Sequence, residues 1–551
     1  MKKRNNQLLA SCTRRLGLET KAEKRWFIAA FILLFGYLWL CQCMRFFLSC
    51  EVSSGIACTI LLPAVQVLPV CVFGIMLFAK FRIPASADGF PRLRRFFPAM
   101  VSALTFGYLL LWLMAYYPGG FSPDSLNQLE QVITGSYNNW HPVMHTWVFF
   151  WIPWQIFHHP AGITLYQILL FSLAVGYLYR VLCRRGCPMW FLIGSWLFLI
   201  LNAQTARIMM FLWKDSALTI TTLMIFAQII EIYETDGAWL RKWHHFLSFT
   251  ALCFLTTAFR HNAILLTAPV YGVVLLFQKK ERRTLLLSGI LVLFALWLLN
   301  GPVMTLANVS APGARQEEML GLPMTMLAEV FIHTPDKLSA KAYDFLSCLA
   351  TTEEWFGFYQ TGDFNSIKMN SSLPLVALIE NEGAKTVLRY TLEATLASPV
   401  PALRGFITLT QMVWNPSTPF GLYYNPLPYC MDNSLGVIMG QSTALTQALT
   451  CFSDTAESLF LYLFTQNIGM IILIALFAAV TNVGRGNLGR AFMVFPMLIY
   501  DFGTMLLLTG PDFRFFHFNF VIIIPLLYLI LCEKAEAAET VPKEESHENQ
   551  V

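Results

Sequence analysis

Long apolar runs alternate with short polar breaks along almost the whole chain. The runs fall at Trp26–Leu48, Ile56–Ala79, Phe96–Tyr116, Ala161–Leu182, Pro188–Arg207, Trp213–Tyr233, Phe246–Phe259, Ala263–Gln278, Thr284–Asn300, Glu457–Thr481, Arg490–Thr509 and Phe515–Cys532. A helix needs roughly 20 apolar residues to cross a bilayer. Backbone groups cannot stay unpaired in hydrocarbon, so each run is expected to be helical. The pattern predicts an all-α polytopic membrane protein with about 12 transmembrane helices. Phe246–Phe259 is short for a crossing, and a re-entrant pair with the run after it is the alternative.

Two segments break the pattern. Gly119–His145, "GGFSPDSLNQLEQVITGSYNNWHPVMH", is dense in hydrogen-bonding side chains yet lies between apolar runs. Gly301–Asp454 alternates short apolar stretches with Pro, Gly and Asn, as a compact α-rich domain of about 150 residues does. The expected layout is a cytoplasmic leader over 1–25, nine helices over 26–300 with an outer loop at 118–160, an extracytoplasmic domain at 301–456, three helices over 457–532, and an acidic cytoplasmic tail at 533–551. No internal repeat is visible.

Composition agrees with this picture: 56% of the 551 residues are hydrophobic, 13% are charged, and mean hydropathy is +0.55. The net charge of +5 sits in loops, so it reports topology rather than nucleic-acid binding. Lys and Arg concentrate before Trp26, in Lys80–Arg95, around Arg180–Arg185 and in Lys279–Arg283; with an even number of spans these all face the cytoplasm. Both termini are then cytoplasmic in a plasma membrane, and the first run is an uncleaved span. Gly301–Asp454, with 7 Lys or Arg and 13 Asp or Glu (7 − 13 = −6), faces the other way. Most of the 13 Cys lie in apolar runs as small packing residues. Cys348, Cys430 and Cys451 lie in the polar segment, where a bridge among them is open. No phosphate loop or dinucleotide fingerprint occurs.

The candidate chemistry lies at helix ends on the outward face. In "SPDS", Ser122 reads as an N-cap, Pro123 as the first helical residue and Asp124 as a first-turn carboxylate. The dipole alone favours such a carboxylate by roughly 0.3–1 kcal/mol, which is the plain structural account of it. Leu126, Leu129, Val132 and Ile133 then mark an apolar side and Asn127, Gln128, Glu130 and Gln131 a polar one, the pattern of an amphipathic helix on the membrane surface. "NNWHP" adds Asn139 and His141; Pro142–His158 reads as a second surface helix rather than a span. "WKDS" places Lys214 and Asp215 at a helix start, "FRHN" places Arg260 and Asn262 at a helix end, and "GPDFRFF" places Asp512 and Arg514 before the last run. Singly, each is an ordinary surface anchor. Together, three cations beside a carboxylate fit an anionic headgroup.

These elements resemble the GT-C superfamily of multi-span glycosyltransferases that use polyprenyl-phosphate-linked sugars. The likeness is to bacterial members with "DS…Q…G.Y…HP" in an outer loop, "WKD" later, and an Arg-aromatic pair before the final span. Here these are Asp124-Ser125, Gln128, Gly135, Tyr137, His141-Pro142, Trp213-Lys214-Asp215 and Arg514-Phe515. The resemblance implies Asp124 as the base that deprotonates an acceptor hydroxyl, with inversion at the sugar. It implies His141 beside it, and Lys214, Arg260 and Arg514 on the donor phosphate. Ser125, Gln128, Asn139, Asp215 and Asn262 would support them, with Asp215 positioning Lys214. Partners would be membrane lipid, a polyprenyl-phosphate-linked sugar and an extracytoplasmic glycan, lipid or protein acceptor, the acceptor held by "WNPSTPFGLYYNPLPY" (Trp414–Tyr429). A divalent cation, if used, would fall to Asp124, although many members carry two adjacent acids where this chain has Asp124-Ser125. Two rivals remain. A transporter or flippase would show internal duplication and charges at mid-membrane. A lipid-linked glycan polymerase or ligase would share the outward cations without needing Asp124.

Overall fold

The computed structural model describes residues 20–49, 56–84, 91–311, 316–358, 362–370, 373–418, 423–458 and 462–532. The tail at 533–551, most of the leader, and 419–422 within Trp414–Tyr429 lie outside the described residues. Every described regular element is a helix, and β-pairing is confined to isolated bridges.

Seven described helices are long and apolar enough to cross a membrane: Lys21–Leu48, Ile60–Lys80, Pro91–Ala115, Pro160–Arg184, Lys214–Glu234, Lys279–Leu306 and Phe513–Leu531. An eighth crossing exists if the bent pair Met189–Leu201 and Ala203–Met210 is one span. The bend of 56° has a local cause: the Asn202 side chain accepts from the Gln204 amide and caps a new helix where the run expected at Pro188–Arg207 would continue.

The full count of about twelve is not reached, for reasons of length. Trp243–Phe259 and Ile468–Gly484 have 17 residues each and Ile264–Phe277 has 14. At 1.5 Å per residue, 17 residues reach about 25 Å, short of the roughly 30 Å hydrocarbon core. The run expected at Arg490–Thr509 divides into Leu488–Ala491, Phe492–Val494 and Phe495–Met505. Val143–His145, Thr146–Trp151 and Ile152–Phe157 form a short helical run with a π turn at its centre, not a span.

Lys214–Glu234 is the central post, with 94% of its apolar window buried. Pro160–Arg184, Trp243–Phe259 and Phe518–Leu531 pack around it. Lys21–Ser49 and Ile56–Lys80 lie outside, against Ile468–Gly484, and leave Leu33, Leu61, Val65 and Phe73 exposed as lipid-facing helices do.

The two ends of the bundle differ in chemistry. At one end Arg185 pairs with Glu231, Arg490 with Glu234 at 2.6 Å, and Arg241 with Glu281 at 2.7 Å. Arg490 also donates to the carbonyl of Cys532 at 3.2 Å, which brings the end of the last helix to the same side. Gly486 lies against Glu23, so the start of the first described helix is there too. The opposite end carries Asp124, Lys214, Arg260 and Arg514.

Over that opposite end lies the segment expected to be a domain. Leu327, Phe331, Trp355, Ile379 and Val387 form a core separate from that of the bundle. The segment is nevertheless joined to the bundle, because Ile407, Leu409, Met412 and Val413 of the Pro399–Trp414 helix belong to the main core. The Trp414 carbonyl accepts from the Tyr37 hydroxyl of the first helix at 2.5 Å.

Candidate functional site

Asp124 is placed as "SPDS" predicts. Ser122 is extended, Pro123 starts a helix that runs to Thr134, and Gly135 ends it in the left-handed conformation at φ 70°. Part of the polar side of this helix is buried. The Gln128 amide bonds to His145 Nδ1 and to the Thr146 hydroxyl, both at 2.9 Å, and Gln131 accepts from the Asn138 amide at 3.1 Å. Tyr137–Thr146 folds back over Gln128 and Gln131, while Glu130 and Ile133 stay exposed. Asn139 accepts from the Val143 amide at 3.1 Å, and the turn so formed carries His141 inward.

The three later motifs converge on Asp124. Arg514 stands in the turn Phe513–Phe516, its guanidinium 4.7 Å from the Trp213 ring centre and 5.1 Å from that of Phe515, with Nη1 3.3 Å from Asp124 Oδ2. Trp213 is fixed from both sides: its indole N–H donates to Ser122 Oγ at 2.8 Å, and its ring stacks on Phe211 at 4.0 Å. Ser125 acts within this frame, donating to the Leu212 carbonyl at 3.4 Å. His141 Nε2 lies 4.0 Å from Asp124 Oδ1.

Arg260 is held differently. It forms a buried ion pair with Asp215, donates from Nε to Asn262 Oδ1 at 2.6 Å, and lies 4.5 Å from the centre of Phe515. Asn262 in turn donates to Thr504 at 2.8 Å. Asp215 therefore serves Arg260, where the sequence reading set it beside Lys214. The Lys214 ammonium has Asp124, Arg260 and Arg514 as charged neighbours, and among the described residues none accepts a hydrogen bond from it.

Burial works to raise the Asp124 carboxyl, but Arg514, His141 and Lys214 outweigh it and hold it well below the usual carboxylate range. Burial pushes His141 down to about 4, so it is neutral at pH 7 and the cations acting on Asp124 there are Arg514 and Lys214. Burial raises Asp512 against the pull of Arg514. The Asp124 side chain keeps 31% of its surface exposed, an opening for a ligand.

The covering segment brings further groups that sequence reasoning did not single out. Glu318 is another charged neighbour of Lys214 and pairs with Lys368 at 2.9 Å. Asp363 and Asn365 clamp the loop before Arg514, with the Asn365 amide donating to the Thr509 carbonyl at 3.1 Å. Nothing in the sequence marks them, since they are ordinary residue types in a polar stretch. Beside the cluster lies a cavity of about 200 Å³ of mixed lining, Val143, Met144, Ala258, Leu296 and Leu299 on one side and Asn139, Thr257, His261 and Asn300 on the other.

Cys348, Cys430 and Cys451 are free thiols. Among the described residues no three His, Cys, Asp or Glu side chains come together as metal ligands. Arg514 and Lys214 stand beside Asp124 as cations, and positive charge at a carboxylate disfavours a divalent ion there.

Fold and apolar helices define an all-α polytopic membrane protein. Compared with known protein families, curated proteins and solved structures, the chain matches none.

Proposed function

We propose that the protein is a GT-C-like membrane glycosyltransferase that moves a sugar from a polyprenyl-phosphate donor to an acceptor hydroxyl on the extracytoplasmic side. The reading rests on one observation: Lys214 and Arg514 flank Asp124 at a partly open site, and Lys214 has no acceptor of its own among the described residues. A dianionic leaving group needs such cations, and an attacking hydroxyl needs such a carboxylate.

In this mechanism the donor phosphate binds Lys214 and Arg514, with Arg260 holding their surroundings rigid through Asp215 and Phe515. The acceptor oxygen attacks the sugar C1 as its proton passes to Asp124. The C1–O bond to phosphate breaks, and polyprenyl phosphate leaves with the electron pair, inverting the sugar carbon. Asp124 is a poor base in the empty site because its carboxyl is held low. A bound phosphate neutralises the cations responsible and returns basicity to it, so the base is active only when the donor is present. Neutral His141 is free to donate a hydrogen bond to the phosphate or the acceptor.

The test is sugar transfer in proteoliposomes with a panel of polyprenyl-phosphate sugars, following release of polyprenyl phosphate. Asp124→Asn is expected to lower turnover by about 10²–10⁴-fold with the protein still folded. Turnover unaffected by this change would remove Asp124 from the chemistry.

One observation favours a second reading, a transporter or flippase of an anionic substrate. Asp501, on Phe495–Met505, is fully buried and accepts from Asn519 on the last helix at 2.8 Å. An acid within the bundle is what ion-coupled transport requires. Substrate movement that is lost in Asp501→Asn and kept in Asp124→Asn would favour this reading.

A further inference from the structure

The helix Ala384–Ala397 buries Val387, Tyr390 and Ala394 against the covering segment and turns Leu388, Leu392 and Leu396 outward, the latter two 60% and 76% exposed. Their spacing of four puts them on one stripe. Val400 and Leu403, at the start of Pro399–Trp414, prolong it and are also exposed. No described element covers this face.

Its depth can be read from the helix it leads into. Trp414 is tied to Tyr37, and Tyr37 lies eleven residues (37 − 26) beyond Trp26, where the first apolar run begins. That is about 16 Å into a hydrocarbon layer of roughly 30 Å, so Trp414 sits near mid-depth with about 14 Å remaining. From Trp414 the helix climbs towards the site end, since its Gly405 packs on Thr325 and Met326 of Gly321–His333, whose Gly321 meets Leu508 and Thr509. Leu403, eleven residues (414 − 403) back along that helix, is about 16 Å away, at the edge of the hydrocarbon. The leucine stripe follows after one tight turn at Ser398.

Charge points to the same place. Gly301–Asp454 has 7 basic residues and 13 acidic ones, yet Lys385, Arg389 and Arg404 flank the stripe with Glu393 the one acid among them. Apolar side chains on one face with Lys and Arg beside them are the pattern of a helix lying in a headgroup layer.

We propose that the Leu388–Leu403 face is a membrane-docking surface that half-inserts into the phospholipid leaflet on the side of the site, its basic residues among anionic headgroups. It keeps the covering segment, and with it Asp363 and Asn365, pressed on the loop that carries Arg514. This inference does not depend on sugar transfer.

The full chain in phosphatidylethanolamine–phosphatidylglycerol vesicles, doped with a phospholipid bearing a diazirine near the top of its acyl chain, gives the test. After irradiation, adducts are mapped by mass spectrometry. They are expected on the peptide covering 385–404 as well as at the hydrocarbon edge of the first helix, around the exposed Trp26 and Ile28. Leu392→Glu with Leu396→Glu should abolish the former and leave the latter. Adducts on the first helix with none on 385–404 would overturn the proposal.

Discussion

Arg260 and Arg514 look alike in the sequence, each an arginine beside an aromatic residue at a helix end. The structure separates them. Arg260 spends its charge on Asp215, and Arg514 meets Asp124 loosely at 3.3 Å while stacked on Trp213. An arginine with a fixed carboxylate partner is scaffold; one held mainly by aromatic faces keeps its donors for a ligand. His141 and His145 carry a consequence for stability. Both are pushed below the ordinary 6.5 by burial, to about 4 and about 3. As pH falls below 6.5 the unfolded chain takes up protons at these positions before the folded one, so stability falls with pH from 6.5 to 4 and below. Asp124 has the other sign in its pKa logic: its low carboxyl contributes stability above the ordinary 3.8, lost only at lower pH. Thermal unfolding in detergent should show a decline from pH 6.5 to 4 that His141→Asn makes shallower; an identical slope would mean His141 is not buried as described. The residue types of the site were legible as charges out of place in an apolar chain. Which cation lacks a fixed partner was not, because pairing joins separate segments: Arg260 meets Asp215 from 45 residues away (260 − 215) and Arg514 meets Asp124 from 390.

Among the elements, two asparagines decide where helices stop. Asn202 turns one expected span into a bent pair, and Asn467 starts Ile468–Gly484 by accepting from the Met470 amide at 2.9 Å. Asn467 also donates to the Pro416 carbonyl at 3.1 Å, binding the helix to the segment after Trp414. Asn467→Ala should cost about 1 kcal/mol for the cap and more for the stranded carbonyl, read as a lower apparent Tm in detergent. An unchanged Tm would show that the cap contributes nothing. Hydropathy located these apolar runs but not their interruptions, since a single Asn hardly alters the mean over a window. The helix Pro123–Thr134 shows the converse: its bounds were readable from Ser122, Pro123 and Gly135, whereas the burial of Gln128 and Gln131 was not.

At the scale of the whole molecule the two ends do different work. The end bearing the basic loops is closed by ion pairs, chief among them Arg185 with Glu231, whose side chain is 2% exposed. Arg184 reaches the same carboxylate at 3.9 Å, and Tyr528 of the last helix donates to the Arg185 carbonyl at 3.3 Å. Glu231→Ala leaves a part-buried guanidinium without its partner and should destabilise by on the order of 3 kcal/mol. A Tm loss much smaller than that of a comparable core truncation would show the clasp to be dispensable. The site end, by contrast, leaves Lys214 without a hydrogen-bond acceptor among the described residues and an opening at Asp124, an arrangement that costs stability and is retained where a ligand supplies the missing partner.

Period and composition by themselves determined that the chain is a bundle of apolar helices, that its basic loops gather at one end, and that its displaced polar groups gather at the other. Each follows from a local rule: backbone amides in hydrocarbon must pair within a helix, and a charge must reach water or a partner. The number of full crossings, the reversal of Pro399–Trp414 into the bundle, the pairing of Arg260 with Asp215 and the meeting of Asp124 with Arg514 were decided only by tertiary packing. They depend on which distant surfaces exclude water from one another, and no window of sequence contains both surfaces.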